Sequence, residues 1–404
     1  MDWSSERTLR YIRQNDTTDE LLLGDCLDFI TRDGVDKFSS TDARDYSTLG
    51  TYIGENTYMT RLKVAVENLL PLEDGALLNG LKQNSSISEL TINCGRFSQG
   101  STTCHSIIGG LGHEILQIYH EKNQLTNLNI DHATMENGGD RLIVSILEQC
   151  SNLKSIVLFH CGISDEHLLP IVETVRGHDS LEKLYLMCNN VGDVGSQAIA
   201  TLLEESNCNL QEINLTANQI GSQGASTLIA TLSNNTKLKT LLIHSNPMGE
   251  TVHDFPMLLC NTSSINHTYL SNHTLQELYV EDREKQLAPL LQLNKGIDKS
   301  YVAIKKILRS HPNIDMEPLF ELDMEEGERS LKALPYVIAW FEKAAEAVAS
   351  DNGVVAWFSS DEDNFSYDVE ERKLSAIYQF ARAMPLLFVP ASHVKGDDKK
   401  RNRR

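Results

Sequence analysis

The sequence lacks long apolar runs. No stretch of its 404 residues approaches the roughly 20 consecutive apolar residues that a membrane-spanning helix needs. Its first residues, MDWSSERTLRYIRQND, also lack the apolar core of a secretory signal peptide. We therefore expect a chain that does not span a membrane and that works in the cytoplasm. The basic tail KKRNRR leaves nuclear import open as an alternative.

Paired cysteines are also missing. The eight cysteines form no C-x-x-C pair and no zinc-binding spacing. We expect free thiols in a reducing compartment and no bound metal. These cysteines are Cys26, Cys94, Cys104, Cys150, Cys161, Cys188, Cys208 and Cys260.

Positive charge is scarce, since 36 lysines and arginines face 56 aspartates and glutamates, which gives a formal net charge of −20. Such a chain repels the phosphates of nucleic acid, so nucleic acid is not expected as the main partner. The charge favours a soluble protein or one with a basic protein partner. Catalytic motifs are lacking as well: we find no nucleophile elbow, no H-E-x-x-H and no Walker loop. The sequence therefore predicts a chain that is not an enzyme and needs no cofactor.

A recurring LxxLxL pattern dominates the middle of the chain. Three successive lines open at Leu181, Leu210 and Leu238, and each reaches an asparagine three residues after its LxxLxL segment. The same register extends outward with spacings of 28 residues, except for two longer spacings of 38 and 37. The eight openings are Met59, Ile87, Leu125, Leu153, Leu181, Leu210, Leu238 and Leu275.

One repeat predicts a strand, a turn and a helix. Ile213 and Leu215 alternate along a short strand, so both face one side. Asn218 follows where the chain must turn, and its amide can bond backbone groups that no neighbouring strand reaches. Apolar residues then recur at helical spacing from Ala225 to Leu232. A single unit cannot bury its apolar face alone, so stacked units must form a continuous core.

This pattern resembles the leucine-rich repeat in its ribonuclease-inhibitor-like form. The resemblance implies an α/β fold, a curved solenoid with parallel strands on the concave face and helices on the convex face. The asparagine position weakens outward, where it is occupied by Cys161, Ala133 and Gly95. We still assign those repeats because the leucine register persists.

Four segments follow from this register. The N-terminal capping segment should include a helix over residues 21–30 and a short helical turn at 47–53. The C-terminal cap region should carry helices near 300–311, 330–349 and 368–389. The two long repeats place insertions near 96–123 and 250–274. The segments are an N-terminal capping segment (1–58), a solenoid of about eight repeats (59–282), a helical C-terminal cap region (283–390) and a disordered basic tail (391–404).

The register also predicts which side chains reach the concave face. With the first leucine of LxxLxL as position 1, these are positions 3, 5, 7 and 8, stacked in columns about 4.8 Å apart. Aromatic and methionine side chains at positions 5 and 7 of two neighbouring repeats predict an exposed patch suited to protein binding, with two position-8 histidines beside it. The candidate binding residues are Val157, Phe159, Tyr185, Met187, His132 and His160.

The resemblance implies protein–protein recognition through the concave face, as an interaction module or scaffold. One alternative is a regulator of an enzyme such as a small GTPase, as in GTPase-activating members of this repeat family. Another is a fragment of an innate-immune-type sensor, although such proteins usually join the repeats to a nucleotide-binding domain, which this sequence does not show. The two insertions and the C-terminal helices are further places where binding could lie. The partner, the pathway and the oligomeric state are left open.

Overall fold

The computed structural model describes residues 3–15, 19–24, 36–40, 42–66, 75–94, 106–107, 111–135, 138–281, 283–297 and 299–310. The chain divides into two compact units. One comprises residues 1–259 and 274–291, and the other comprises residues 260–273 and 292–404.

Parallel strands line one face of the first unit. They are β1 Glu20–Leu23, β2 Asp36–Phe38, β3 Arg61–Ala65, β4 Glu89–Asn93, β5 Ser106–Ile107, β6 Asn127–Asp131, β7 Ala133–Thr134, β8 Ser155–Phe159, β9 Lys183–Tyr185, β10 Glu212–Asn214, β11 Thr240–Leu242 and β12 Glu277–Tyr279. Ten of these described strands form one open sheet in the order β12-β11-β10-β9-β8-β6-β4-β3-β1-β2, while β5 pairs with β7.

The pairing register repeats the spacing of the leucines. Leu184 lies opposite Ile156 on one side and opposite Ile213 on the other. The longer repeats keep the same alignment, since Leu128 lies opposite Leu90 and Leu278 lies opposite Leu241. All eight predicted opening residues, from Met59 to Leu275, are at most 1% exposed. The predicted curved leucine-rich-repeat solenoid, with strands and helices alternating along the chain, is therefore confirmed.

Helices follow the strands on the other side of the core. They are α1 Trp3–Gln14, α2 Ala43–Glu55, α3 Ala76–Gln83, α4 Leu111–Lys122, α5 Gly139–Gln149, α6 Asp165–Arg176, α7 Asp193–Glu204, α8 Ser222–Asn234, α9 Phe255–Leu259, α10 Ile265–Tyr269, α11 Glu284–Asn294 and α12 Lys299–Ser310, with a 3-10 helix at Gly249–Asp254. Leu228 and Leu232 of α8 are fully buried, as the helical spacing predicts.

Asparagines after the strands join neighbouring repeats. The amide of Asn218 donates to the carbonyl oxygens of Leu186 (2.8 Å) and Leu215 (3.0 Å). Its oxygen accepts from the backbone N–H of Val191 at 3.0 Å. Asn189 and Asn246 make the equivalent bonds in the flanking repeats. This ladder satisfies buried backbone groups that the short strands leave unpaired, as the sequence predicts.

The predicted helix over residues 21–30 is wrong at its beginning. Residues 20–23 form β1, which pairs with β2 on one side and with β3 on the other. Leu21, Leu22 and Leu23 are all at most 1% exposed, so this apolar run fills a strand that lies one position from the edge of the sheet and is buried on both faces. Residues 25–35 lie outside the described residues. The sheet thus continues into the segment that we expected to be the N-terminal cap, and the boundary of that cap stays a prediction.

Two glycines bring the first convex helices together. The predicted helical turn at 47–53 lies inside the longer α2, which packs closely on α3. A Cβ atom built on Gly80 would overlap the backbone oxygen of Gly50. The two helix backbones are therefore in contact at this crossing, which only residues without a side chain allow.

The second unit contains part of the later insertion. The 3-10 helix and α9 take the place of a single convex helix, and α10 then lies in the second unit, where it packs on α12. Lys306 of α12 is buried and donates to the carbonyl of Asn272 at 2.9 Å. The helix predicted near 300–311 is α12. The predicted helices at 330–349 and 368–389 and the basic tail lie outside the described residues.

Candidate binding surface on the concave face

The candidate surface begins with a cross-strand pair in the middle of the sheet. Val157 of β8 lies opposite Tyr185 of β9, and both occupy position 5 of their repeats. Their neighbours Ile156 and Leu184 point into the core and are fully buried. Because side chains alternate along a strand, Val157 and Tyr185 must point to the opposite, concave face, where both are half-buried.

Three rings form a cluster beside this pair. The ring centroids of His132 and Phe159 are 5.2 Å apart at an interplanar angle of 80°. The rings of His132 and His160 are 4.9 Å apart, also edge to face. Such edge-to-face contacts stabilise aromatic pairs beyond the area that they bury. The sequence-predicted column of position-8 histidines is therefore present and packs on Phe159.

Position 8 has a repeated backbone conformation. His132, His160, Cys188, Ala217 and Ser245 all have φ between 52° and 58°. The chain turns there after each strand, and the backbone N–H of His160 donates to the carbonyl of Met187 at 3.1 Å. This left-handed turn fixes the direction in which each position-8 side chain leaves the backbone.

Tyr185 is held in place by a neighbouring carboxylate. Its hydroxyl donates to Glu212, which also accepts from Lys183 at 2.8 Å. Burial alone would raise the pKa of Glu212, but the bonds from Lys183 and Tyr185 hold it below its ordinary value. Burial, followed by the bond to Glu212, raises the pKa of Tyr185. The phenol therefore stays protonated and keeps its position on the surface.

Asp131 is a carboxylate on the same face, between Asn93 and Phe159 in the strand register. Burial raises its pKa to about 7, although Lys63 and a hydrogen bond from Asn129 act in the opposite direction. The charge of this part of the surface therefore changes near neutral pH.

The predicted residues lie together but are less exposed than expected. Val157, Phe159, Tyr185, Met187 and His160 are half-buried, and His132 is buried at 9% exposure. Part of the cause is local packing, because the rings of His132, Phe159 and His160 cover one another and the hydroxyl of Tyr185 is bonded to Glu212.

The predicted patch does not include one exposed aromatic residue of the same face. Tyr279 of β12 is 43% exposed and packs edge to face on His244, at 4.5 Å between ring centroids. Leu242 lies opposite Tyr279 in the strand register. All three residues occupy positions 5 or 7, so the same register would have indicated them.

In the part of the chain that the structure describes, no three histidine, cysteine, aspartate or glutamate side chains lie close enough together to hold a metal ion. No described helix has the length and apolar character needed to cross a bilayer. Six cysteines in the described ranges carry free thiols, and Cys26 and Cys104 lie outside those ranges.

Comparisons with known proteins agree with this architecture. A family model described as "Leucine Rich repeat" matches residues 149–171, 178–200 and 206–228. The NACHT, LRR and PYD domains-containing protein 3 of Mus musculus is 26% identical over 147 residues, which are 35% of this chain and 14% of that protein. The ribonuclease inhibitor of Sus scrofa is 27% identical over 124 residues, which are 31% of this chain and 26% of that protein.

These matches are partial. The chain spans 14% and 26% of the length of the two curated relatives. A solved structure, the Leiomodin-1 Actin-Binding Site 2 (ABS2), aligns with 33% of this chain and 75% of its own, at a TM-score of 0.27 and 20% identity. The repeat register, the family match and the asparagine ladder nevertheless agree over the central repeats. The chain therefore contains leucine-rich repeats that are similar to those of the ribonuclease inhibitor.

Proposed function

We propose that this chain is a protein-interaction module that binds a protein partner through the concave face of its solenoid. The observation that carries the proposal is the cluster of His132, Phe159 and His160 beside the Val157–Tyr185 pair. Aromatic side chains that cluster near the centre of a surface, as Tyr185 and Phe159 do here, are typical of a protein-binding hot spot. Leucine-rich repeats in general mediate protein–protein interaction, which supports the same reading.

The mechanism is recognition by a rigid surface. Tyr185 is fixed by Glu212, and the position-8 turns are fixed by backbone hydrogen bonds to the next repeat. Side chains that are already held in one conformation lose little entropy when a partner binds. Met187 is the flexible member of the patch and can adapt to the shape of the partner.

A quantitative affinity pull-down tests the proposal. The full chain is compared with the triple variant Phe159→Glu, Tyr185→Glu, Met187→Glu, and circular dichroism verifies that the variant folds. The matched control places glutamates on the convex helices instead, as Leu169→Glu and Val194→Glu, because these side chains are 45% and 55% exposed. We expect specific partners that disappear with the concave variant and remain with the convex one. An unchanged set of partners in the concave variant would refute the proposal.

A second candidate function is regulation of an enzyme by covering its surface. The name of the Sus scrofa relative, ribonuclease inhibitor, favours this version of protein binding. The direct measurement is the rate of RNA hydrolysis by a ribonuclease, and of GTP hydrolysis by small GTPases, with and without the full chain. Enzyme regulation is supported if the native chain changes the rate of hydrolysis and the concave triple variant leaves that rate unchanged. Identical rates with the native chain, with the variant and without either would contradict it.

A third candidate is suggested by the Mus musculus relative, whose name joins leucine-rich repeats to other domains. In this version the repeats are the recognition part of a larger sensor. Binding of fluorescent ATP distinguishes a sensor with its own nucleotide-binding domain from a repeat solenoid alone, because a nucleotide-binding domain binds ATP and a repeat solenoid is not expected to. Failure of the full chain to bind ATP would contradict a sensor that carries its own nucleotide-binding domain.

A further inference from the structure

Two apolar ridges cross the concave face, with a lower strip between them. The first ridge is the patch on β8 and β9, from Val157 to Met187. The second consists of Tyr279 on β12 and of His244, which follows β11. Strands β10 and β11 lie between the two tyrosines, since β10 pairs with β9, β11 pairs with β10 and β12 pairs with β11. We call the strip over β10 and β11, which contains Asn214 and the half-buried Leu242, the trough.

The floor of the trough is kept low by hydrogen bonds. The side chain of Asn214 folds back, so that its oxygen accepts from the backbone N–H of Thr216 at 3.0 Å, and Asn214 is only 9% exposed. The hydroxyl of Thr216 lies 3.2 Å from Nδ1 of His244. Both side chains are therefore tied to the scaffold and do not stand up between the ridges.

The walls of the trough are tyrosines in fixed positions. Tyr185 is anchored through its hydroxyl to Glu212, and Tyr279 packs its ring against His244. Tyr185, Asn214, Leu242 and Tyr279 lie in one cross-strand row. Strands lie about 4.8 Å apart, so the two tyrosines stand about 14 Å from each other.

This width selects the kind of segment that fits. An α-helix with its side chains is about 10–12 Å across, which fills the space between two rings whose backbones are about 14 Å apart. An extended strand occupies about 5 Å and would touch one wall only. A helix can contact both walls at once and bury its apolar side chains against them.

The charge of the trough selects the chemistry of the helix. At positions 3, 5 and 7 of β9 to β12 there are three carboxylates, Glu212, Glu277 and Glu281, and one ammonium group, Lys183, so the net charge is −2. Glu212 is already paired with Lys183. Glu277 and Glu281 lie on either side of Tyr279 and are exposed. Glu281 also accepts from the backbone N–H of Ser245 at 3.0 Å, so its carboxylate lies toward β11. Each carboxylate can pair with its own lysine or arginine, and such a cation can lie against the ring of Tyr279.

We propose that the trough over β10 and β11 binds a basic amphipathic α-helix of a protein partner, with apolar side chains between Tyr185 and Tyr279 and with lysines or arginines at Glu277 and Glu281. This proposal rests on the proposed function, since it takes the concave face as the binding surface. It goes further by fixing the strands, the secondary structure and the charge of the bound segment.

The test uses a fluorescein-labelled 18-residue peptide of leucine and lysine, arranged as an amphipathic helix, and measures its fluorescence polarisation with the full chain. We expect binding that weakens about tenfold in Tyr279→Ala, as for a central aromatic anchor. The variant Glu277→Gln, Glu281→Gln should weaken binding and reduce its dependence on salt. The matched control, Glu148→Gln with Glu166→Gln, removes the same charge from exposed positions of α5 and α6 and should leave the affinity unchanged.

Two comparison peptides define the class of ligand. One carries glutamate in place of every lysine, and the other carries a central proline that prevents the helix. We expect neither to bind. Equal binding of either peptide, or an affinity that Tyr279→Ala and the two glutamine substitutions leave unchanged, would overturn the proposal.

The two proposals fail in different ways. If the leucine–lysine helix does not bind but pull-down partners disappear with the Phe159, Tyr185 and Met187 substitutions, the concave face binds protein and the trough proposal is wrong. If the partners are unaffected by those substitutions, the proposal that the concave face binds protein is wrong.

Discussion

Replacing Asn218 with alanine should destabilise the central repeats, because this one side chain joins two neighbouring repeats. Asn218 is 2% exposed, and its amide donates to the carbonyls of Leu186, Leu215 and Thr216. Its oxygen accepts from the backbone N–H of Val191. The alanine variant removes all four contacts and adds no new group to replace them.

The size of this destabilisation depends on which backbone groups keep a hydrogen-bond partner in the alanine variant. The carbonyl of Leu186 still accepts from Asn189 at 3.0 Å, and that of Leu215 still accepts from Asn246 at 2.9 Å. The N–H of Val191 loses its acceptor in a fully buried position, which costs about 1–3 kcal/mol. The shared carbonyls add a smaller loss. We therefore expect the free energy of unfolding to fall by about 2–4 kcal/mol.

Urea titration followed by circular dichroism measures this loss, and amide hydrogen exchange locates it. The exchange of the Val191 amide should accelerate more than that of amides in distant repeats. The control is Gln219→Ala, an exposed neighbour outside the ladder. If Asn218→Ala is no less stable than Gln219→Ala, the ladder does not hold the repeats together and the reasoning is refuted.

Three further predictions test other features. Ala217 has φ of 54°, so Ala217→Gly should be neutral or stabilising by up to about 1 kcal/mol, whereas Ala230→Gly in the middle of α8 should lose about that amount in the same urea titration. Burial raises the pKa of Asp131 from its ordinary 3.8 to about 7, so the ionised form is disfavoured in the folded chain. The native chain should lose stability as pH rises from about 4 to 7, and Asp131→Asn should not show this loss when unfolding is measured at pH 5 and pH 8. Gly80→Ala should lower the melting temperature and speed proteolysis of the first repeats, because its Cβ would overlap the backbone of Gly50. Unchanged melting would contradict the close crossing of α2 and α3.

The repeat register could be predicted from sequence because it is encoded many times. Each opening apolar residue occupies the same buried position, and the equivalent core residues Ile156, Leu184 and Ile213 lie side by side in the sheet. A misplaced strand would expose every such residue, so only one register satisfies all repeats. This is why the weak outer repeats could be assigned although Cys161 and Ala133 replace the asparagine.

Single segments were harder to predict. The run Leu21–Leu23 is apolar at every position, so it has neither the alternation of a half-buried strand nor enough length to distinguish a strand from a buried helix. Its assignment depends on pairing with β2 and β3, which are 15 and 41 residues away in the register. The local sequence contains no information about those partners, and the prediction of a helix there was wrong.

The candidate surface was partly predictable for the same reason. The register gives the face on which a side chain lies, and it correctly brought Val157 next to Tyr185 and His132 next to His160. Exposure depends instead on contacts with neighbours, which the register does not encode. His132 is covered by Phe159 and His160, whereas Tyr279 stays 43% exposed and was not chosen.

Side chains on the concave face have more varied roles than side chains in the core. Every core leucine has one role, which is to fill space between sheet and helices, so its identity follows from the fold. Asn214 and Tyr185 both point to the concave face, but hydrogen bonds lay Asn214 flat and hold Tyr185 upright against Glu212. Short polar side chains that bond their own backbone therefore form a floor, and anchored rings form walls. The proposed binding surface depends on this alternation between neighbouring repeats, and a change that frees Asn214 should alter the trough without altering the core.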